Sequence, residues 1–206
     1  MRKKAIIFDL DNTIYLVSSI ADRLFKTLFG IIAESGEFVG NLENIKAEIM
    51  RRPFQYVADE FEFSAKLKSA CFNHLKNLTY DQAINPVENY ETIRNFAHLK
   101  FLVTTGFNNL QNSKIGHLGI TNDFEQIFII DPSETAKTKR DIFKEILINY
   151  NLKSTEVLVV GDDLNSEIKA ASELGIESVL YDFKAIHIQT ESQKVIRNFS
   201  ELKNYI

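Results

Sequence analysis

Two aspartates, Asp9 and Asp11, close the apolar run "AIIF" and stand two residues apart. On an extended chain, residues i and i+2 face the same way, so both carboxylates can look into one crevice beyond a sheet. Left alone, such a pair is costly. Mutual repulsion raises one pKa, and a divalent cation relieves the charge. A carboxyl that keeps its proton can serve as a general acid. Asn12 and Thr13 suit the tight turn that follows. A second acidic strand end lies in "VLVVGDDLNSEI", where Gly161 permits a sharp turn into Asp162 and Asp163, with Glu167 further on. Asp163 and Asn165 are expected to cap the helix that begins there. Asp9, Asp11 and Asp162 make an oxygen donor set with no His or Cys beside it, which favours Mg2+. The four histidines, His74, His98, His117 and His187, have no ligand spacing.

A third apolar run ends "LVTTG", placing the hydroxyls and backbone N–H groups of Thr104 and Thr105 at the same edge. These are donors suited to phosphate. Lys137 opens the helical pattern "AKTKRDIFKEIL", and a cation at a helix N-terminus suits an anion. A carboxylate nucleophile, a second acid, a metal, a hydroxyl and a lysine together match phosphoryl transfer through an aspartyl-phosphate.

These residues need a scaffold that brings several strand ends to one edge. Short apolar runs at Ala5–Phe8, Lys100–Thr104, Ile127–Ile130, Val157–Val160 and Ser178–Tyr181 read as buried parallel strands. Helical patterns follow three of them, at Asn108–Leu118, Thr138–Tyr150 and Asn165–Leu174. That alternation predicts an α/β fold with a doubly wound, mostly parallel, Rossmann-like sheet. Residues 16–85 break the rhythm with four helical stripes: Ile20/Leu24/Leu28/Ile31, Leu42/Ile45/Ile49, Phe54/Val57/Ala58/Phe61 and Leu67/Cys71/Leu75/Leu78. The expected organisation is an α/β core from residues 1–15 and 86–206, with a helical cap domain inserted over 16–85. The cap leaves and returns beside the end of the first strand, which favours a lid over a purely stabilising subdomain.

The order "DLDNT", "LVTTG", Lys137, "GDDLNSE" resembles the haloacid dehalogenase-like (HAD) hydrolase superfamily, with the insert in the place of its first-type helical cap. The stretch "TTGFNNLQNSKIGHLGI" is further similar to the pyrimidine 5'-nucleotidase-like and phosphoglycolate phosphatase-like branches. The resemblance implies that Asp9 is the nucleophile and a metal ligand. It makes Asp11 the acid/base, expected to hold a proton for the leaving group, with its backbone carbonyl on the metal. Thr104 would bind phosphate with Thr105 beside it, Lys137 would neutralise the transition state, and Asp162 would ligate Mg2+ directly. Two departures bear on this. Thr138 replaces the proline usual after the lysine, which leaves Lys139 as an alternative to Lys137. Glu167 stands where a second Asp is usual.

The remaining composition agrees with a folded enzyme. The chain has 206 residues, is 45% hydrophobic and includes sixteen Phe and seven Tyr, enough for a full core. A net charge of −4 gives no broad surface for a nucleic acid polymer. One cysteine, Cys71, cannot form an internal disulfide, and it reads as a core residue of a cytoplasmic protein. The basic start meets Asp9 after a short apolar run, so no signal peptide or membrane helix is expected. The expected activity is a Mg2+-dependent phosphatase acting on a small phosphorylated metabolite. Alternatives are a sugar phosphomutase, a 2-haloacid dehalogenase, against which Asp11 and Asp162 argue, and a non-catalytic module on the same scaffold. Nothing in the sequence sets the oligomeric state or selects one phosphate ester.

Overall fold

Strands β1 (Ala5–Phe8), β2 (Leu99–Thr105), β3 (Gln126–Ile130), β4 (Val157–Gly161), β5 (Glu177–Tyr181) and β6 (Lys194–Ile196) form one six-stranded sheet in the order β3-β2-β1-β4-β5-β6. Every pairing is parallel. The computed structural model describes residues 2–185, 187, 190 and 193–206. Alternate residues of the central strands feed opposite cores, which is why their sequences are apolar without interruption. Ala5, Ile7, Phe101, Val103, Val157 and Val159 pack with Ile142, Phe143, Ile146 and Ala171 on one face. Ile6, Phe8, Leu102, Leu158 and Val160 enter a larger cluster on the other. Strand β6 has no counterpart among the sequence-based elements. It is a three-residue edge strand, too short to show a period, held by its neighbour β5.

In the first interval between strands the regular elements are helices joined by loops. They include α1 (Ala21–Leu24), α2 (Lys26–Ser35), α3 (Leu42–Ile49), α4 (Phe54–Glu60) and α5 (Ala65–Lys76). Leu28, Ile32, Ile45, Ile49, Val57, Ala58, Leu67, Cys71 and Leu75 are buried, following the helical stripes with Ile32 more deeply placed than Ile31. The ends carry recognisable stops and starts. Gly36 closes α2 in the left-handed conformation at φ 61°, Asn41 caps α3 on the Glu43 N–H, and Ser64 caps α5 on the Leu67 N–H. The interval departs and returns at one place, because the Val87 N–H donates to the Ile14 carbonyl at 2.8 Å.

After a short α6 (Glu91–Arg94), the remaining helices are crossovers between parallel strands: α7 (Asn108–Leu118), α8 (Lys139–Asn149) and α9 (Lys169–Glu173). A wide π-helical turn, Leu164–Ile168, precedes α9, with the Asp163 side chain capping it by accepting from the Asn165 N–H. Near the C-terminus, the ring of Phe199 lies against Phe8 and stacks on Tyr181. Strand order reverses at β1, which has β2 on one side and β4 on the other. Open α/β sheets bind ligands at such a switch point, beyond the strand C-termini. Among the described residues no helix is long and apolar enough to cross a membrane.

Candidate active site

Asp9 is the first residue past β1, yet its N–H still donates to the Val160 carbonyl of β4 at 3.0 Å. That bond fixes the start of the turn, and Asn12 completes it. Its backbone is left-handed at φ 58°, its side-chain oxygen accepts from the Val17 N–H at 3.1 Å, and its amide donates to the Met50 carbonyl of the helical insert at 3.1 Å. The same turn therefore aims the carboxylates and ties the insert to the sheet.

Asp9 Oδ1 lies 2.5 Å from Lys139 Nζ, which also reaches Glu167 Oε2 at 2.7 Å. One carboxylate oxygen from each of Asp9, Asp162 and Glu167 falls within a 4.8 Å cluster. Three acids and one lysine are thus crowded into a buried space. Burial, with Glu167 adding to it and Lys139 opposing, raises Asp9 to about 7. Burial, Asp9 and Glu167 push Asp162 up to about 9. Burial also acts on Glu167, but Lys139 and the Asp163 N–H, which donates to Oε1 at 2.7 Å, outweigh it and hold the carboxyl low. Burial disfavours the charge on Lys139, yet Asp9 and Glu167 prevail and keep the ammonium protonated. A site with this surplus of buried carboxylate, and with oxygen donors alone, fits a hard divalent cation such as Mg2+.

The lysine differs from the expectation. Lys137 is half exposed and pairs with Glu145 at 2.6 Å, away from Asp9. Lys139 is the residue at Asp9. The cause is local. Thr138 caps α8 through a reciprocal pair with Asp141, so the helix begins at Lys139 and turns that side chain inward. Glu167, which stands where a second Asp is usual, joins this cluster because the π-helical turn folds it back beneath the end of β4. A Cβ at Gly161 would overlap its side chain, so glycine is required there by close approach.

Asp11 sits on the other side of Asp9 with three donors of its own. Oδ1 takes a short hydrogen bond from the Tyr15 hydroxyl and one of 2.8 Å from Lys114 Nζ, while Oδ2 takes one of 2.9 Å from Gln111 Nε2. Burial raises the Asp11 pKa, but Lys114 and these hydrogen bonds outweigh it and leave the carboxyl below its ordinary range. These contacts favour the ionised carboxylate over the protonated acid that the resemblance implies. An ammonium group at contact distance, unseen in the motif, favours the carboxylate. Thr104 is buried, and its hydroxyl meets Gln111 Nε2 at 2.6 Å, while Thr105 is half-buried on the cleft wall. Gln111 and Lys114 are the residues that motif reading misses. Both lie on the buried side of α7 beside Leu110, Ile115 and Leu118, and two polar residues on an apolar helical stripe were the available signal.

A cleft of about 130 Å³ opens over Asp9, Asp11, Thr104, Lys139 and Asp162. The insert supplies its far wall, including Arg51, Arg52 and Phe54. Arg51 spans the gap, 2.7 Å from Glu48 on its own side and 3.8 Å from Asp163 on the other.

The parallel sheet thus delivers a cluster of acids to its switch point, the edge at which open α/β sheets bind ligands. The family profile described as haloacid dehalogenase-like hydrolase matches residues 3–175, and the chain belongs to that family. It is similar to a glyceraldehyde 3-phosphate phosphatase of Pyrococcus furiosus, at 27% identity over 88% of this chain and 82% of the relative. It is also similar to the pyrimidine 5'-nucleotidase PynA of Streptococcus pneumoniae, at 22% identity over 48% of this chain and 43% of that one. The haloacid dehalogenase-like hydrolase SP0104 of Streptococcus pneumoniae shares the fold, with a TM-score of 0.74, 16% identity and 98% of both chains covered.

Proposed function

We propose that this chain is a cytoplasmic, Mg2+-dependent phosphomonoesterase that acts on a small phosphorylated metabolite through an aspartyl-phosphate on Asp9. The observation that carries the reading is the pairing of Asp9 with Lys139 beside Asp162, at the strand edge where Asp11 and Thr104 also converge. Asp9, Asp162 and Glu167 would hold the metal, directly or through water, and Mg2+ would supply neutralisation of charge around the phosphoryl group.

Asp9 attacks phosphorus, and the bond from phosphorus to the ester oxygen breaks with its electron pair passing to that oxygen. Asp11 delivers a proton there. A phosphate dianion arriving beside Asp11 raises its pKa and favours the protonated form needed for that step. Asp11, now ionised, removes a proton from water. The resulting hydroxide attacks the aspartyl-phosphate, releasing inorganic phosphate and restoring Asp9. Lys139 stays charged throughout and offsets the negative charge on the transferring group. The insert, acting as a cap domain over residues 16–85, closes the cleft and selects the ester through residues such as Arg51 and Arg52. A cleft of only about 130 Å³ suits a small metabolite better than a polymer.

The test is phosphate release over a panel of metabolite monoesters with Mg2+, with the Asp9→Asn protein as blank. Glyceraldehyde 3-phosphate and a pyrimidine nucleoside 5'-monophosphate belong first on the panel, following the names of the relatives. Release by the wild type and none by Asp9→Asn is expected. Equal release by both proteins overturns the mechanism.

A further inference from the structure

Lys114 is 4% exposed and Gln111 is 1% exposed, both on α7 and both facing the sheet edge. Lys114 Nζ donates to Asp11 Oδ1 at 2.8 Å and to Gln111 Oε1 at 2.7 Å. Gln111 in turn donates to Asp11 Oδ2 and to Thr104 Oγ1. The Tyr15 hydroxyl adds a second donor on Oδ1, and the Lys114 ammonium lies 5.8 Å from the centre of the Tyr15 ring. The result is a continuous polar string, Tyr15–Asp11–Lys114–Gln111–Thr104, set into an apolar layer. A Cβ at Gly106 would come within 2.9 Å of Gln111 Cδ, so the glycine after Thr105 is what lets Gln111 lie between the two site residues.

Stability alone does not explain this string. A buried ion pair is commonly matched or exceeded in stability by apolar residues of the same volume. What the string does supply is direction. With both Asp11 oxygens held, the carboxyl plane is fixed: Oδ1 already takes two donors, and Oδ2, with only Gln111 on it, is the oxygen left to carry a proton in the cleft that Asp11 and Thr104 line.

We propose that Lys114, with Tyr15 and Gln111, is a positioning residue that aims the Asp11 carboxyl at the leaving-group oxygen. The inference rests on the phosphomonoesterase reading. An aimed acid matters most where the leaving oxygen is strongly basic. Loss of aim therefore penalises alkyl esters and spares aryl esters, whose phenolate leaves with little protonation. A side chain that served only to hold the fold would reduce both alike.

The experiment compares kcat/KM for 4-nitrophenyl phosphate and for an alkyl phosphate such as glycerol phosphate, because kcat/KM reports steps up to phosphoenzyme formation. Lys114→Met is expected to lower the alkyl value about tenfold or more beyond the aryl value, with the ~10²–10⁴-fold full contribution of a general acid as the ceiling. Tyr15→Phe keeps the ring and its packing, and is expected to shift the ratio in the same direction by a smaller factor. It serves as the readout should Lys114→Met not fold. In an Asp11→Asn background neither change should alter the ratio further, since residues acting through one group are not additive. Equal losses for the two esters in Tyr15→Phe, or a ratio that still moves in the Asp11→Asn background, overturn the positioning role while leaving the phosphatase reading in place. A wild type that hydrolyses neither ester, nor any on the metabolite panel, overturns both.

Discussion

Lys139 touches two carboxylates at once, and each has a different fate. Its bond to Asp9 holds one oxygen of the proposed nucleophile, while its bond to Glu167 anchors the ammonium from behind. Removing the amine should therefore disturb both charge and aim. Lys139→Met is expected to lower kcat by on the order of 10²-fold or more, the scale seen when a donor to a developing anion is deleted. Lys137→Met, which breaks a surface pair with Glu145, should leave kcat within about twofold. Steady-state kinetics on one active ester checks the pair, and the reverse order would return the role to Lys137. Asp9, Asp11, Asp162 and Thr104 are legible in the sequence because they lie at or just past the ends of apolar strands, where residue type changes. The lysine is not legible to the same degree, because the choice depends on which residue begins a helix. A two-residue shift changes the answer, and only the cap formed by Thr138 and Asp141 decides it.

At the scale of elements, β4 and the π-helical turn behind it work as one part. Glu167 occupies the space that a side chain on Gly161 would need, and accepts the Asp163 N–H that the turn leaves free. π-helical turns recur at functional sites because the extra residue redirects a side chain. Gly161→Ala should push Glu167 off Lys139, lowering stability by roughly 1–3 kcal/mol, as overpacking usually does. It should also weaken Mg2+ binding. Chemical denaturation and metal titration of the purified variant test this, and a variant with unchanged stability and affinity would show that Glu167 has another place to go. Sequence pattern finds the helix after β4 but not its widened first turn, since periodicity over so few residues cannot separate a π-turn from an α-turn. Strand β6 is missed for a related reason, having three residues and no apolar run.

Across the whole molecule, one apolar cluster extends from Phe8 and Leu102 of the sheet through Leu28, Ile45 and Leu75 of the insert. The site lies between these layers, so its charge state bears on the stability of the fold. Asp9 at about 7 and Asp162 at about 9 both exceed the ordinary 3.8. Between about pH 4 and 9 the folded, metal-free protein therefore binds more protons than the unfolded chain. Its stability from these groups is greatest at the acid end of that window and declines as pH rises through the folded values. Glu167, held low, acts only below its ordinary 4.5, and Lys139, held high, only above its ordinary 10.5, so neither reverses the slope. Mg2+ requires ionised ligands, and its stabilisation should grow with pH. Thermal unfolding in EDTA and in Mg2+ should show a larger metal-induced rise in Tm at pH 8.5 than at pH 6, and an equal rise at both would contradict the site. The doubly wound sheet and the helical interval are legible because every central strand is apolar on both faces and every insert helix has a clear stripe. The polar string through Lys114 is less so, because it joins residues about a hundred positions apart. The chain's one cysteine, Cys71, is fully buried in α5, where burial pushes its thiol up to about 11. A thiol reagent can therefore reach it only when α5 peels away from its neighbours. The protein thus carries its own stopwatch, whose rate of modification times the loosening of the insert without any added label.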